Sequence, residues 1–287
     1  MDNTEKNKLE KSTLYLVGTP IGNLSDLSDR AKKVLSEVDF IAAEDTRNSM
    51  KLCSALGIKK ELISYFEHNK KSSGERIIAR LLGGESCALV TDAGMPAVSD
   101  PGEDIVRLCA EHGITVSVIP GPCAAISALA MSALSTARFT FEGFLSAHKS
   151  ERKKQLDTLL KEQRTMIFYE APHKLKATLS DMTDAFGARR KISLCREITK
   201  LNEEVIRTTI GEALALYEAK EPRGEYVLVI EGASASDLSD EENPLLALTP
   251  AEHVEHYVNC GMEKMDAIKA AAKDRKMSKS EMYKLLI

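Results

Sequence analysis

The chain has no tryptophan, and tyrosine and phenylalanine together bring the aromatic share to only 5% of 287 residues. Its core must therefore be aliphatic. No run approaches the ~18 apolar residues that a membrane-spanning helix needs. The opening residues, MDNTEKNKLEKS, have no apolar centre of the kind a secretory leader carries. The expectation is a cytoplasmic protein with no membrane partner. The six cysteines (Cys53, Cys87, Cys109, Cys123, Cys195, Cys260) contain no C-x-x-C pair and mostly sit in apolar runs, the pattern of buried thiols in a reducing compartment. No G-x-G-x-x-G opens the first helix, no G-x-x-x-x-G-K-[ST] exists, and no G-x-S-x-G elbow is present. These absences argue against a nicotinamide dehydrogenase, a P-loop NTPase and an α/β-hydrolase. The net charge is −4, so no global field draws nucleic acid, and any such contact must use a local patch.

What is present is a strand–helix rhythm. TLYLVG (13–18), DFIAAED, ELISYF, SCALVTD and ITVSVIPG read as strands. Helices are expected over 25–38, through Met50 to Leu56, and over 73–82, 103–112 and 124–133. This alternation implies a mainly parallel sheet covered on both faces. After residue 136 the rhythm changes. FTFEGFL, MIFYEA, KISLCREI, EEVIRTTI and EYVLVIEG read as strands, with helices near 149–163, 173–186 and 211–219. Two successive strands around a turn at Leu201 and Asn202 indicate a mixed or antiparallel sheet. The expected organisation is an N-terminal α/β domain (13–135), a second α/β domain (136–232), an acidic linker (233–248) and a helical tail (249–287). Helices are expected in the tail at 250–259, 262–274 and 278–287, with Ser278 and Glu281 as a capping box. Residues 262–287 carry seven Lys/Arg against four Asp/Glu, which suits a helix-turn-helix; the competing reading is a solvated helical hairpin. His253, His256 and Cys260 share one helix face, but three ligands on one helix cannot surround an ion, so no metal site is expected.

The special residues cluster in loops at strand ends. VTDAGMPAVSDPG (90–102) concentrates Gly94, Pro96, Pro101 and Gly102 between two regular elements, and holds Asp92 and Asp100 with no lysine or arginine. A loop at a strand's carboxyl end is where open α/β sheets bind ligands, and this one suits a neutral or cationic group. VGTPIGNL (17–24) places Gly18, Pro20 and Gly22 in one turn. IPGPCAAISALA (119–130) follows its breakers with Cys123, Ala124 and Ala125, small enough for a flat ring to approach the backbone; tight helix packing is the alternative. AEDTRNS (43–49) puts Glu44, Asp45 and Arg47 at a strand end. They suit a general base, its orienter and an anion clamp, or simply a capped helix start. FYEAPHK (168–174) and REITK (196–200) offer Tyr169, Lys174, Arg196, Glu197 and Lys200, and HKSERKK (148–154) and ARRK (188–191) add local positive charge.

VGTPIGNL, AEDTR, TDAGMPAVSDPG, PGPCAAISAL, FEGFL, FYEAPHK, REITK and GEYVLVIEG, in that order, resemble the bacterial small-subunit ribosomal RNA cytidine 2′-O-methyltransferases of type I, within the tetrapyrrole methylase superfamily. The resemblance runs from residue 13 to about 232, and the tail resembles the terminal helix-turn-helix of many members. Met95 is a departure, since members often carry threonine there. The resemblance implies two α/β domains with S-adenosylmethionine in the cleft between them, and a homodimer. It implies a cofactor pocket formed by Pro20, Asp92, Gly94, Met95, Pro96, Cys123, Ala124, Tyr169, Gly224 and Tyr226. It also implies methylation of a cytidine ribose in the decoding region of 16S rRNA within the 30S subunit. For the base that takes the ribose proton, Glu44 and Asp45 are the leading candidates and Glu197 the secondary one, with Arg47, Arg196 or Lys200 holding phosphate. Two rivals remain: a small-molecule methylase acting on a tetrapyrrole, and a ligand-sensing DNA-binding regulator. The final helix offers Lys279 and Lys284 but no Arg, Asn or Gln for base readout.

Overall fold

Short, β-branched and aliphatic runs between glycine- and proline-rich turns produce ten strands in two sheets in the computed structural model, which describes residues 8–234, 244–246, 248–275 and 277–286. The first sheet contains β1 (Thr13–Val17), β2 (Phe40–Ala43), β3 (Glu61–Ser64), β4 (Cys87–Val90) and β5 (Thr115–Ile119), in the order β3-β2-β4-β1-β5. Every pairing in it is parallel. β2 and β4 are wholly buried, as strands covered on both faces must be. Helices α1 (Asp29–Glu37), α2 (Thr46–Ala55), α3 (Lys70–Leu82) and α4 (Gly102–Glu111) connect them. One core cluster gathers Leu14, Phe40, Ile77, Leu81 and Ile105, and another gathers Val17, Val34, Leu35, Ile41 and Val90, both almost free of rings as the composition requires.

The second sheet contains β6 (Phe139–Phe144), β7 (Thr165–Glu170), β8 (Lys191–Arg196), β9 (Glu204–Thr209) and β10 (Tyr226–Ile230), in the order β6-β7-β10-β8-β9. It is mixed: β6 and β7 are parallel and the other neighbours antiparallel. Helices α6 (Lys149–Thr158), α7 (Pro172–Phe186) and α8 (Ile210–Ala219) accompany it.

Two expectations need correction. The helix expected over 25–38 is a 3-10 turn at Leu24–Asp26 followed by α1, because two side chains cap separately: Asn23 accepts from the Ser25 amide and Ser28 from the Ala31 amide. The helix expected over 149–163 stops at Thr158, and Glu162 then accepts from the Arg164 amide in place of a helical carbonyl. Among the described residues, those up to 157 and 165–231 form one compact unit holding both sheets. The helix between the sheets, α5 (Ala124–Met131), packs Ala125, Ala128 and Leu129 against Ile167, Val227 and Val229 of the second sheet rather than against the first.

The other unit comprises residues 158–164 and the described residues from 232 onward. Most of the acidic linker expected at 233–248, residues 235–243 and 247, lies outside the described residues. In the tail, α9 (Pro250–Asn259), α10 (Lys264–Asp274) and α11 (Lys279–Lys284) enclose a small core of Val254, Ile268, Ala271 and Met282. Ser278 and Glu281 form the capping box. His253 is fully buried, with Asp274 Oδ2 3.2 Å from its Nε2 and the Arg275 Nε donating to its Nδ1 at 3.1 Å, so it is a polar node of the helical core.

Candidate active site

The parallel strands β1, β2, β4 and β5 end at one edge of the first sheet, and the loops that follow them meet there. Thr19 and Gly94 exchange backbone hydrogen bonds of 2.9 and 3.2 Å, and the Thr19 hydroxyl donates to the Thr91 carbonyl at 3.2 Å. The loops after β1 and β5 touch more closely still. A Cβ on Gly18 would lie 2.6 Å from Gly121 Cα, and one on Gly121 would lie 2.7 Å from Gly18 Cα. Neither contact can yield by rotating a side chain. Gly121→Ala is therefore expected to destabilise the protein by about 1–3 kcal/mol through overpacking and to weaken binding of the S-adenosylmethionine that the resemblance implies at least about tenfold by parting the loops. Thermal melts and calorimetric titration check this; wild-type values in both would refute it.

These loops form one wall of a cavity of about 590 Å³. The opposite wall comes from the second sheet: Phe144, Tyr169, the first residues of α7, Cys195, the β8–β9 turn and the start of β10. Its apolar lining includes Ala124, Cys195, Ile198 and Val227. The Tyr169 hydroxyl accepts from the Ala125 amide at 3.3 Å, tying the start of α5 to β7; burial pushes its pKa up.

The carboxylates divide by what they touch. Glu44, just past β2, lines the cavity and accepts from the Thr91 hydroxyl at 2.6 Å. Asp45, next along the chain, does not line the cavity. It caps α2 by accepting from the Arg47 amide at 2.8 Å, and it pairs with the Arg47 guanidinium at 2.7 Å. That side-chain hydrogen bond, more than any other contact, lowers its pKa to about 2. Arg47 is 85% exposed and is not among the residues that line the cavity. Asp45 and Arg47 together form the capped start of α2. Glu197 lines the cavity but is engaged: its Oε1 accepts from Lys200 Nζ at 2.8 Å and from the Glu225 amide at 3.0 Å. The Lys200 contact, foremost, holds its pKa below the usual range. Burial works against the charge of Lys200, but its hydrogen bonds to Glu197 and Glu225 outweigh this and raise its pKa. Arg196 is occupied by Glu204 at 3.0 Å.

Asp92 accepts from the Asn48 side chain at 3.1 Å; burial raises its pKa, and the charges of Glu44 and Asp45 push the same way. Asp100 Oδ1 accepts from the Ala97 and Gly102 amides at 2.9 and 2.7 Å. Its Oδ2 is buried with no hydrogen-bond partner among the described residues, and burial raises its pKa.

Of the residues expected at the cofactor, Asp92, Gly94, Met95, Cys123, Ala124, Tyr169 and Tyr226 line this cavity. Pro20, Pro96 and Gly224 are not among its lining residues. Ile21 lines it where Pro20 was expected, and Pro96 borders a small void behind the loop with Tyr65 and Gly102. Gly224 sits behind Glu197, whose Cγ a Cβ there would meet at 2.5 Å. Sequence reading passed over Thr91, Phe144 and His173 as site residues; the only signal for Phe144 was a glycine interrupting an aromatic strand in FEGFL.

The family model for Tetrapyrrole (Corrin/Porphyrin) Methylases matches residues 13–214. The ribosomal RNA small subunit methyltransferase I of Bacillus subtilis (strain 168) is 48% identical over 276 residues, spanning 96% of this chain and 94% of that protein. The protein of the same name from Synechocystis sp. is 41% identical over 280 residues, spanning 95% and 96%. The solved uroporphyrin-III-C-methyltransferase of Thermus thermophilus shares the fold, with a TM-score of 0.55 over 77% of this chain and 94% of that one at 21% identity. Fold and site thus define a methyltransferase of the tetrapyrrole methylase type, with S-adenosylmethionine as methyl donor. Within that class, the chain belongs to the ribosomal RNA small subunit methyltransferase I family.

The residues present fit the cofactor. A cavity of about 590 Å³ falls within the ordinary size for a small-molecule site. The apolar part of its lining suits a flat purine. Asp92 and Asp100, both on the cavity lining, suit a ligand that brings hydrogen-bond donors and positive charge.

Proposed function

We propose that the protein transfers a methyl group to the 2′-hydroxyl of a cytidine ribose in the decoding region of 16S rRNA, within the assembled small subunit. The observation that carries the reading is the position of Glu44, a carboxylate on the cavity wall whose described side-chain partner is a neutral hydroxyl. Bound S-adenosylmethionine supplies an electrophilic methyl group on a cationic sulfur. Asp92, Asp100, Met95, Cys123, Ala124 and Tyr226 would hold it. Glu44 accepts the proton of the incoming hydroxyl at its carboxylate, the role for which a weakly acidic nucleophile needs a base. The Thr91 hydroxyl fixes the orientation of that carboxylate. The two facing walls exclude water and align the reacting groups, which supplies much of the rate in a displacement that needs no covalent enzyme intermediate. Lys200, beside the cavity, and the basic residues of α6 offer contacts for RNA phosphates. A nucleotide already displayed by a folded particle needs no strongly basic enzyme, consistent with the net charge of −4. The resemblance brings with it a homodimer acting in the cytoplasm, and both belong to this reading. Among the described residues no helix is long and apolar enough to cross a membrane.

The test is incubation of the purified protein with methyl-labelled S-adenosylmethionine and one of four acceptors: small subunits lacking the modification, naked 16S RNA, duplex DNA or a uroporphyrinoid. The expected result is label on the subunits, recovered after digestion as 2′-O-methylcytidine. Label on a base, on another nucleoside or on the uroporphyrinoid would overturn the reading.

A further inference from the structure

Phe144 ends β6 and lines the cavity with 56% of its surface exposed, whereas Tyr226 in the same cavity is 3% exposed. The backbone places the ring there. The register of β6 against β7 shifts between Phe141 and Gly143, and Gly143 has φ +66°, a conformation that side chains with a Cβ rarely adopt. Such a bulge re-aims the side chain that follows it, and bulges gather beside active sites for that reason. Beyond the shift, Phe144 pairs with Tyr169, their ring centroids 5.4 Å apart and their planes at 60°. Edge-to-face packing against Tyr169 steadies the ring while more than half of it stays open. A few residues on, α6 presents exposed Lys149, Lys153 and Lys154. Arg152 of the same helix is buried and donates to the Ser146 and Ala147 carbonyls at 3.0 and 3.2 Å, fixing the loop between ring and helix. A half-exposed ring joined by a fixed loop to a helix with exposed lysines combines the stacking surface and the positive charge by which proteins grip a single unstacked nucleotide.

We propose that Phe144 is the stacking platform for the target nucleobase. The proposal rests on the RNA reading above and deepens it. A ribose inside a folded RNA reaches a cavity only when its nucleotide leaves the stack, and the lost stacking must be replaced. Phe144 replaces it with its exposed ring, while the buried part of the lining takes the cofactor. Because any base has a π-face, the platform holds the nucleotide without choosing its identity.

The experiment compares wild type, Phe144→Leu, Phe144→Ala and Phe144→Trp on small subunits lacking the modification, with S-adenosylmethionine affinity measured separately by calorimetry. Leucine keeps apolar bulk but has no π-face. The expected result is a loss of about ten- to hundredfold in kcat/KM for subunits with leucine and alanine, activity within about threefold of wild type with tryptophan, and unchanged cofactor affinity in all. Full activity of Phe144→Leu would overturn the proposal. So would a matching loss of cofactor affinity, which would assign the ring to the cofactor. A wild-type protein that labels no RNA would remove the underlying reading instead, and would show this before any variant is compared.

Discussion

Glu44→Gln is expected to lower the single-turnover rate of methyl transfer by about 10²- to 10⁴-fold, the usual worth of a positioned general base, while leaving S-adenosylmethionine affinity within about twofold. Glutamine keeps the volume, and its amide oxygen still accepts from the Thr91 hydroxyl, so the wall should stand. Asp45→Asn is the informative contrast. Asp45 is a helix cap already paired to Arg47, and a carboxylate held at about pKa 2 is a poor proton acceptor near neutrality. This substitution should leave the transfer rate near wild type and alter stability against pH. The folded pKa is depressed from an ordinary 3.8 to about 2, so the contribution of the charge is present above about pH 4 and is lost as pH falls toward 2. Asp45→Asn should flatten that acid limb of the melting temperature. Asp92→Asn should chiefly weaken cofactor binding. If Asp92→Asn abolished transfer with cofactor affinity intact and Glu44→Gln did not, the base would have to be reassigned to Asp92.

Arg152→Met is expected to be the most destabilising single change. Arg152 and Asp181 have side chains only 6% and 8% exposed and are joined by bonds of 2.6 and 2.7 Å. Removing one partner strands the other charge in the interior, which costs about 3–5 kcal/mol. Lys149 reaches the second Asp181 oxygen at 3.8 Å but is 78% exposed, so it screens that charge weakly. The low end of the range, roughly 3 kcal/mol, corresponds to a fall in melting temperature of about 6–12 °C for a body of this size. Arg152→Met/Asp181→Leu should recover most of it, because no buried charge is then left alone. The double variant should still lose activity on subunits, since the Ser146 and Ala147 carbonyls lose their donor and the loop beside Phe144 is freed. A single variant as stable as wild type would show that the pair is not a structural anchor.

The strands and the loops after them were legible in the sequence because both signals are local. Apolar runs bounded by glycine and proline give strands whatever packs on them. The glycines, prolines and small residues of VGTPIGNL, TDAGMP and PGPCAA mark sites where the backbone must be approached closely, and Gly18 against Gly121 is such an approach. The choice between Glu44 and Asp45 was not legible. The two are adjacent, chemically alike and both at a strand end; what separates them is that one hydroxyl from β4's loop reaches Glu44 while the first turn of α2 claims Asp45. Arg152 was equally hidden. In HKSERKK it is one more surface cation, and only the packing of α6 beside α7 buries it against Asp181.

By itself, then, the sequence determined the alternating architecture, the helical tail, the family and which loops form the cavity, because those depend on backbone preferences and residue size within a few positions. The tertiary structure decided that α5 serves the second sheet, that Asp45 is a cap and Glu44 lines the cavity, and that a bulge precedes Phe144 where it joins the lining. Each of these depends on which atom of a distant strand or helix comes within about 3–5 Å, and hydrogen bonds and ring contacts act only over that range.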